Sequence, residues 1–462
     1  MDNSRRSFIK KTSMASAGLA MVSAIPSEQT YAEAKPGATY MGDFKAPKID
    51  TVKCAFIGVG ARGSGHAAQI AQIEGTDVVA ICDLYEDLAK KSADKCIENG
   101  GGRHKKVKMY TSGENDWKNM LKKEKPDAVF IATPWKDHAP MAIEAMKQGA
   151  HAFVEVPLAL TVKEMWEIVD TSEQTGKHCM MMENVNYGRE ELIYLNMCRQ
   201  GVIGELLHGE AAYIHELRGQ MTSERSTGSW RTYHYAKRNG NLYPTHGLGP
   251  VAQYMNLARG EDNFRFMNSF SSPGKGRNLY AKKNFDADHK WNALNFEGGD
   301  MNTSIIKTTL GRTIMVQWDE TSPRPYSRLN LIQGTKGTLA GFPTRVAIEG
   351  GVEGATDNHH KWAEGEKLEA LFEKYEHPLY KRLGELAKKM GGHGGMDFIM
   401  RYRIIECLRK GEPIDQNVYE GCFWSAVGPL SEASVAQNGA PQEFPDFTRG
   451  KWNSTKPLGI IG

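Results

Sequence analysis

A glycine-rich turn that follows an apolar run constrains the fold of this chain more than any other feature. Residues 53–58 are apolar and β-rich, and the turn Gly58–Gly63, GVGARG, leads directly into a helical pattern. In such a strand–turn–helix unit the first glycine permits the tight turn, the second lets backbone approach a pyrophosphate, and the third lets the helix pack closely. The N–H groups at the start of the helix suit phosphate oxygens. We therefore predict a dinucleotide site that uses Gly58, Gly60, Arg62 and Gly63.

An acidic residue at the end of the next apolar run indicates which dinucleotide is bound. Asp83 lies 20 residues beyond Gly63, where a carboxylate holds the adenosine ribose hydroxyls and disfavours the 2′-phosphate of NADP. Leu84 and Tyr85 follow, with no arginine immediately after them. The pattern predicts NAD as the cofactor, and the alternative is that Asp83 only caps the next helix.

The first half of the chain alternates apolar β-rich runs with amphipathic helical stretches, which is typical of a doubly wound parallel sheet. The strands are predicted at 53–58, 77–82, 107–110, 128–133, 151–155 and 178–182. Helices are predicted between them at 65–73, 86–97, 141–148 and 162–174, where apolar residues recur at three- and four-residue spacing. These segments predict an N-terminal α/β domain of the Rossmann type.

A chain of 462 residues is too long for one hydrophobic core, so we expect a second domain. After Gly188 one helix, 190–199, is followed by β-rich runs at 210–215, 302–309, 313–318 and 329–333 and by Gly/Asn/Ser-rich loops. This composition predicts an α+β domain on a mostly antiparallel sheet. We expect a linker at 35–50, the NAD-binding domain at 51–186 and the substrate domain at 187–462. Its terminal helices, within 378–408 and 421–436, are expected to pack back on the first domain.

The N-terminus has the features of an export signal. Arg5 and Arg6 precede Phe8, Ile9 and Lys10, a weakly apolar stretch runs from about Met14 to Ile25, and Ala32-Glu33-Ala34 follows. This arrangement resembles the twin-arginine signals of bacteria. We expect residues 1–34 to be a signal cleaved after Ala34, with the mature protein in the periplasm or secreted. The apolar stretch is too short for a permanent membrane span, and a disordered basic N-terminus is the alternative.

Charge and cysteine content argue against several other classes of protein. The net charge is +3 and no basic stripe is present, so nucleic acid is not an expected partner. The seven cysteines show neither a disulfide framework nor a zinc spacing, and we predict no metal site. We expect a small-molecule or glycan substrate, and homo-oligomer formation stays open.

Two segments that follow the fourth and fifth predicted strands resemble a known superfamily. They are 132–138, ATPWKDH, and 155–157, EVP. The pattern is similar to the Gfo/Idh/MocA sugar oxidoreductases, in which the tripeptide is Glu-Lys-Pro and its lysine assists proton transfer. Val156 stands in place of that lysine, which argues against ordinary dehydrogenase chemistry. The resemblance implies cofactor contacts from Trp135, Lys136, Asp137, His138, Glu155 and Val156.

Four motifs further along the chain resemble glycoside hydrolase family 109. They are 183–191, ENVNYGREE; 230–231, WR; 238–247, RNGNLYPTHG; and 391–395, GGHGG. The resemblance covers nearly the whole mature chain and implies an NAD-dependent α-N-acetylgalactosaminidase. It adds Asn184 and Tyr243 to the cofactor contacts. The substrate contacts that it implies are Tyr213, Arg231, Tyr243, Pro244, Thr245, His246 and Tyr326.

The family's route implies three proton transfers. Hydride leaves C3 of the sugar for NAD, the resulting ketone acidifies the C2 proton and permits elimination at C1, water adds, and the hydride returns. We take Tyr187 as the candidate C2 base, helped by a positive neighbour such as Arg189 or Arg231. His246 is a second catalytic candidate, and His393, on its glycine loop, is a candidate general acid. Which of the three carries each transfer stays open.

Two other functions fit the same residues. One is a net NAD-dependent sugar oxidoreductase of the Gfo/Idh/MocA type, and the other is a sugar-binding relative without catalysis. Val156, together with the YPTH and GGHGG motifs, favours the hydrolase over the oxidoreductase. The preferred sugar and anomer follow only from the family resemblance, because pocket shape decides such differences.

Overall fold

The computed structural model describes residues 33–459 of the chain. The predicted export signal therefore lies outside the described residues, apart from Glu33 and Ala34. Within residues 33–459 no helix is long and apolar enough to cross a membrane.

Six parallel strands form the first sheet, in the order β3-β2-β1-β4-β5-β6. They are β1 Val52–Ile57, β2 Thr76–Cys82, β3 Lys108–Tyr110, β4 Ala128–Ile131, β5 His151–Val154 and β6 Cys179–Met181. All six agree with the predicted strands to within two residues at each end, so the predicted parallel sheet is confirmed. The strand order reverses between β1 and β4, and in such sheets ligands bind at the carboxyl ends of the strands beside this reversal.

The first sheet is covered on both faces, which explains its continuous apolar strands. All four residues of β4, AVFI, are buried. Phe56, Phe130 and Phe153 stack across three neighbouring strands with ring centroids 5.2 and 5.1 Å apart. The covering helices are α1 Gly63–Ile70, α2 Glu86–Asn99, α3 Asp116–Glu124, α4 Trp135–Lys147 and α5 Val162–Thr175.

Nine strands form the second sheet, in the order β14-β13-β12-β11-β7-β10-β9-β8-β15. They are β7 Leu206–Ile214, β8 Phe264–Ser271, β9 Asn302–Thr308, β10 Thr313–Asp319, β11 Leu331–Gly334, β12 Gly337–Ala340, β13 Arg345–Ile348, β14 Ala363–Glu364 and β15 Gln442–Glu443. Only β7 and β10 pair in parallel, so the predicted mostly antiparallel sheet is confirmed. The sequence predicted β7, β9, β10 and β11 and missed the other five.

The remaining helices follow β6 along the chain. They are α6 Arg189–Arg199, α7 Thr227–Lys237, α8 Thr245–Tyr254, α9 Gly276–Asn284, α10 Glu369–Tyr375, α11 Pro378–Met390, α12 Met396–Lys410 and α13 Val418–Ala436. Helix α13 contacts α5 and β6 on one side and β8 on the other. Ser425 Oγ accepts a hydrogen bond from the backbone N–H of Leu158 at 3.0 Å. Helix α13 thus packs against the Rossmann sheet and the second sheet together, and helix α12 contacts α1 and β1.

Candidate active site

The glycine turn between β1 and α1 has the shape that a bound pyrophosphate requires. Gly58 has a positive φ of 79°, and a Cβ there would lie 2.7 Å from the carbonyl oxygen of Ala132. A Cβ on Gly63 would overlap the carbonyl oxygen of Gly58, whereas Gly60 faces open space. The turn is therefore packed from behind and open in front, as a phosphate cradle must be.

Asp83 lies against this turn. Its Oδ2 accepts a hydrogen bond from the Val59 N–H at 2.7 Å, and its Oδ1 accepts one from the Tyr85 N–H at 2.9 Å. Helix α2 begins after Tyr85, so Asp83 is not the N-cap of that helix. The carboxylate is fixed beside the cradle, where the ribose hydroxyls of NAD are expected.

Trp135 and His138 lie at the start of helix α4, just after β4, and are the first two buried side chains of that helix. The ring nitrogens of His138 lie 2.7 Å from the Pro157 carbonyl oxygen and 2.9 Å from that of Thr133. Burial lowers the pKa of His138. This histidine ties the loops after β4 and β5 together, while Lys136 points to solvent.

Glu155, at the end of β5, is the centre of a buried network of charges. Its Oε1 accepts hydrogen bonds from Arg62 Nε at 3.1 Å and His66 Nε2 at 2.7 Å. Arg401 Nε donates to His66 Nδ1 at 2.8 Å, so the proton of the neutral imidazole lies on Nε2. Arg62 and His66 hold the pKa of Glu155 well below its usual range. Val156, the next residue, is buried and adds no titratable group.

Asp397 extends the same network toward the glycine loop. It accepts hydrogen bonds from Asn184 Nδ2 at 2.6 Å and Arg62 Nη1 at 3.0 Å. His393 Nδ1 lies 2.9 Å from its Oδ2. The hydrogen bond from His393 and the charges of Arg62 and Arg401 lower the pKa of Asp397. His393 is thus tethered over the cofactor turn while its side chain stays 59% exposed.

The backbone of this loop explains its glycines. All five residues from 391 to 395 have positive φ, including His393 at 47°. A residue with a Cβ adopts this conformation reluctantly, so four glycines carry the loop and only the central position has a side chain.

His246 and Glu183 form a second pair. His246 Nδ1 lies 2.7 Å from Oε1 of Glu183, which is fully buried and also accepts the Val185 N–H at 3.1 Å. Among residues 33–459 the Nε2 of His246 has no hydrogen-bond partner. The ring of His246 packs edge-on against Tyr213 and Tyr243, at centroid distances of 5.2 and 4.9 Å. The pair therefore presents one imidazole nitrogen to an aromatic pocket.

That aromatic pocket brings together most of the residues that were predicted to contact the sugar. The rings of Tyr213 and Tyr243 lie 4.7 Å apart, and the Arg231 guanidinium lies 5.0 Å from the Tyr243 ring and 4.8 Å from the Trp135 ring. No carboxylate of the described chain lies within 4 Å of Arg231, and its Nε is buried without a hydrogen-bond partner. Thr245, which follows Pro244 at the start of α8, has an equally unpartnered Oγ1.

The outer edge of the pocket adds a residue that sequence reasoning missed. The Tyr213 hydroxyl lies 2.9 Å from His215 Nδ1, and the Tyr326 ring packs 5.0 Å from the His215 ring. Burial lowers the pKa of His215. Its position two residues after Tyr213 on an extended segment, which places both side chains on one face, is the signal that would have found it. Glu183 was missed as well, because only the fold brings it to His246.

Tyr187 is not part of this pocket. Its side chain is 3% exposed, and its hydroxyl donates to Asp415 Oδ2 at 3.2 Å. Burial and Asp415 raise its pKa well above 10. Arg189, expected to activate it, pairs instead with Glu376 at 2.7 Å, and Arg231 lies in the aromatic pocket. This geometry contradicts a base role for Tyr187. The residues next to it in the sequence lie near the site, but the Tyr187 ring points into the core.

Comparison with known proteins matches both halves of the chain. Residues 187–454 match the family model described as glycosyl hydrolase 109, C-terminal domain. The chain belongs to glycosyl hydrolase family 109. Residues 52–183 match the model described as oxidoreductase family, NAD-binding Rossmann fold. The resemblances noted in the sequence are confirmed.

Curated members of family 109 align over nearly the full length. A glycosyl hydrolase family 109 protein of Akkermansia muciniphila is 68% identical over 434 residues, which cover 94% of this chain and 89% of the relative. A protein of Shewanella oneidensis named alpha-N-acetylgalactosaminidase is 52% identical, with 99% of each chain covered.

Solved structures share the fold at low identity. A levoglucosan dehydrogenase in complex with NADH and L-sorbose gives a TM-score of 0.64 at 18% identity, covering 86% of this chain and 100% of that one. A scyllo-inositol dehydrogenase from Lactobacillus casei gives 0.59 at 13% identity, covering 85% and 99%. The first domain of this family 109 protein is an NAD-binding Rossmann domain. The open face of Gly60 and the fixed carboxylate of Asp83 fit that cofactor.

Proposed function

We propose that this family 109 protein hydrolyses glycosides of α-linked N-acetylgalactosamine by the oxidation, elimination, addition and reduction route, with bound NAD that is not consumed. The observation that carries the proposal is the Glu183–His246 pair, which aims a free imidazole nitrogen into the aromatic pocket beside the Rossmann cradle. The name of the Shewanella oneidensis relative supports the choice of sugar. NAD held on the glycine turn would accept a hydride from the sugar and return it.

His246 is suited to the proton of the hydroxyl that is oxidised. Glu183 accepts from its Nδ1, which leaves Nε2 as the acceptor toward the pocket. Val156 supplies no lysine for this task, so the imidazole takes it over.

The pair of Tyr213 and His215 is suited to the C2 proton, the role first given to Tyr187. Burial raises the pKa of Tyr213 well above 10, so its phenol does not ionise on its own and must pass its proton to a neighbour as it takes the proton from carbon. His215 lies 2.9 Å from the Tyr213 hydroxyl, and its lowered pKa keeps the imidazole neutral at pH 7. The imidazole can therefore accept the phenolic proton while the phenolate oxygen takes the proton from carbon.

His393 is suited to the leaving-group oxygen. Asp397 holds its Nδ1, and the rest of the ring is exposed on the glycine loop. An aglycone leaves the pocket toward solvent, so a proton donor on an exposed loop meets its departing oxygen.

One assay separates this proposal from its alternatives. Purified protein without added NAD is incubated in deuterated water with p-nitrophenyl α-N-acetylgalactosaminide. Nitrophenol release together with deuterium at C2 of the released sugar supports the hydrolase. If free N-acetylgalactosamine, supplied as a separate substrate, yields a stoichiometric amount of NADH while the glycoside releases no nitrophenol, a net sugar oxidoreductase is supported. If neither nitrophenol nor NADH forms, a sugar-binding protein without catalysis is supported.

We also propose that the chain is exported through the twin-arginine route to the periplasm or beyond. Arg5 and Arg6 in their apolar context support this. Export in the folded state would allow NAD to be loaded beforehand. Replacing both arginines by lysine should leave the protein in the cytoplasmic fraction, whereas unchanged fractionation would refute the route.

A further inference from the structure

Tyr326 lies at the rim of the pocket on a segment that is anchored to β7. Backbone N–H groups of Ala212 and Ile214 donate to the carbonyl oxygens of Arg328 and Ser327 at 2.8 and 2.9 Å. The Tyr326 ring packs edge-on against Tyr213 at 6.1 Å and is 38% exposed. One side of the ring is therefore supported by the pocket wall, and the other side is open.

The Tyr326 hydroxyl has a single partner in the described chain. Arg328 Nη1 donates to it at 2.9 Å, and Arg328 Nη2 donates to Glu191 Oε1 at 2.6 Å. Glu191 is 3% exposed and Arg328 9%. The guanidinium also lies 4.8 Å from the Phe342 ring, so it is held in place from three directions.

This bond determines what the hydroxyl can offer to a ligand. A guanidinium carries only donors, so the Tyr326 oxygen is the acceptor in their bond. Its own hydrogen must then point elsewhere, and in residues 33–459 no acceptor receives it. The positive charge of Arg328 withdraws electron density from the phenol, and charge-assisted bonds of this kind are the stronger ones.

We propose that Arg328, held by Glu191, is a positioning residue that keeps the Tyr326 hydroxyl as a hydrogen-bond donor to an acceptor oxygen of the bound sugar. This rests on the proposed glycosidase function, because the pocket must hold a sugar. Tyr326 itself is already an expected substrate contact. The new element is that Arg328, which does not touch the substrate, determines that the Tyr326 hydroxyl donates its hydrogen bond to the sugar rather than accepts one.

A double-mutant cycle tests the inference, because coupling shows whether two residues act through one another. The variants are Tyr326→Phe, Arg328→Lys and the pair, assayed as kcat/KM on p-nitrophenyl α-N-acetylgalactosaminide. Each single change should lower kcat/KM about ten- to one hundred-fold, the usual effect of losing a hydrogen bond that a charge supports. The double variant should be no worse than Tyr326→Phe alone.

Two further variants separate this role from a merely structural one. Glu191→Gln keeps the arginine but loosens it, and its smaller loss should also vanish in the Tyr326→Phe background. Arg345→Lys is the matched control, because Arg345 donates to the Pro343 carbonyl at 2.9 Å and lies over Trp362 rather than Tyr326. It should leave kcat/KM unchanged in both backgrounds.

Losses that multiply in the double variant, or wild-type kcat/KM in either single variant, would overturn the inference. A wild type that releases no nitrophenol would instead refute the proposed function. In that case the double-mutant cycle is measured on the Kd of free N-acetylgalactosamine by titration calorimetry. Absence of binding, or absence of coupling between the Tyr326 and Arg328 substitutions, would overturn the inference.

Discussion

The cofactor side and the sugar side of the site differ in how their polar groups find partners. On the cofactor side, Arg62, Glu155 and Asp397 satisfy one another in a closed network. On the sugar side, Arg231 has no carboxylate partner in the described chain and Thr245 Oγ1 has no hydrogen bond. The cofactor side is built around one shared network of charges, whereas the sugar side has separate pairs, Glu183–His246 and Glu191–Arg328, among aromatic rings and unpartnered polar atoms.

This difference between the two sides agrees with the time that NAD and the sugar would each spend bound under the proposed function. A resident cofactor is held best by a cradle that is complete before it arrives, since ordering costs are then already met. A sugar that enters and leaves at every turnover can supply the missing hydrogen bonds itself. Buried polar atoms without partners are costly, and that cost favours sugar binding.

Removing the imidazole of the sugar side should have the largest effect. His246→Ala should lower kcat by about 10²- to 10⁴-fold, the usual contribution of a general acid–base group, while NAD remains bound. The measurement is nitrophenol release together with the NAD content of the purified protein. His359→Ala, at an exposed histidine, is the control, and loss of NAD in His246→Ala would show that the two sides are not separable.

Breaking the closed network should lower stability, in addition to releasing His393 from Asp397. Asp397→Asn leaves Arg62 and Arg401 without their shared carboxylate, and breaking a buried pair costs about 3 kcal/mol of unfolding free energy. Arg231→Gln, on the open side, breaks no ion pair and should cost less, about 1 kcal/mol for the lost contacts with the Trp135 and Tyr243 rings. Urea denaturation measures both, and equal losses would contradict the comparison.

The closed network should also make stability depend on pH. Burial and Arg401 lower the pKa of His66 from 6.5 to about 4. Between these values the unfolded imidazole binds a proton and the folded one does not, so the free energy of unfolding falls as pH drops from 6.5 to 4, by about 3 kcal/mol in all. His66→Gln should remove this part of the slope. An unchanged slope would refute the assignment, and exposed His359→Gln is the control.

The smallest effect is expected where the second domain touches the adenosine end of the cradle. Arg225 pairs with Asp87 at 2.7 Å and lies 3.9 Å from the Tyr85 ring. Both charged groups are exposed, so Arg225→Ala should weaken NAD binding no more than a few-fold, and less at high salt. Dialysis against charcoal measures NAD loss, with Arg218→Ala as control, since Arg218 pairs with Glu216 and lies over the Tyr280 ring. A loss of NAD far larger than a few-fold in Arg225→Ala would contradict the ranking.

The sequence predicted the Rossmann half well because its signals are local. Apolar runs, amphipathic helices and the glycine turn each lie within a few residues, and all six strands were located. In the second domain β8 was missed, because Arg265, Asn268 and two serines interrupt its apolar pattern.

The sequence predicted site residues only where they lie within a short motif. His246 and His393 were named as candidates, but the Glu183 partner of His246 and the Arg62–Asp397 contact, which spans 335 residues, depend on tertiary packing. Tyr187 failed for a related reason: it ends a 3₁₀ turn, Asn184–Tyr187, where neither a period of two nor of 3.6 indicates which way a side chain points.

Val156 has a further consequence for a protein that would hold its sugar as a ketone. A lysine amine beside a carbonyl condenses with it to a Schiff base. With a buried valine at that position, an oxidised sugar would meet an inert aliphatic surface there. If the proposed route operates, the residue that lacks a proton-transfer group would also keep the site from being blocked by its own intermediate.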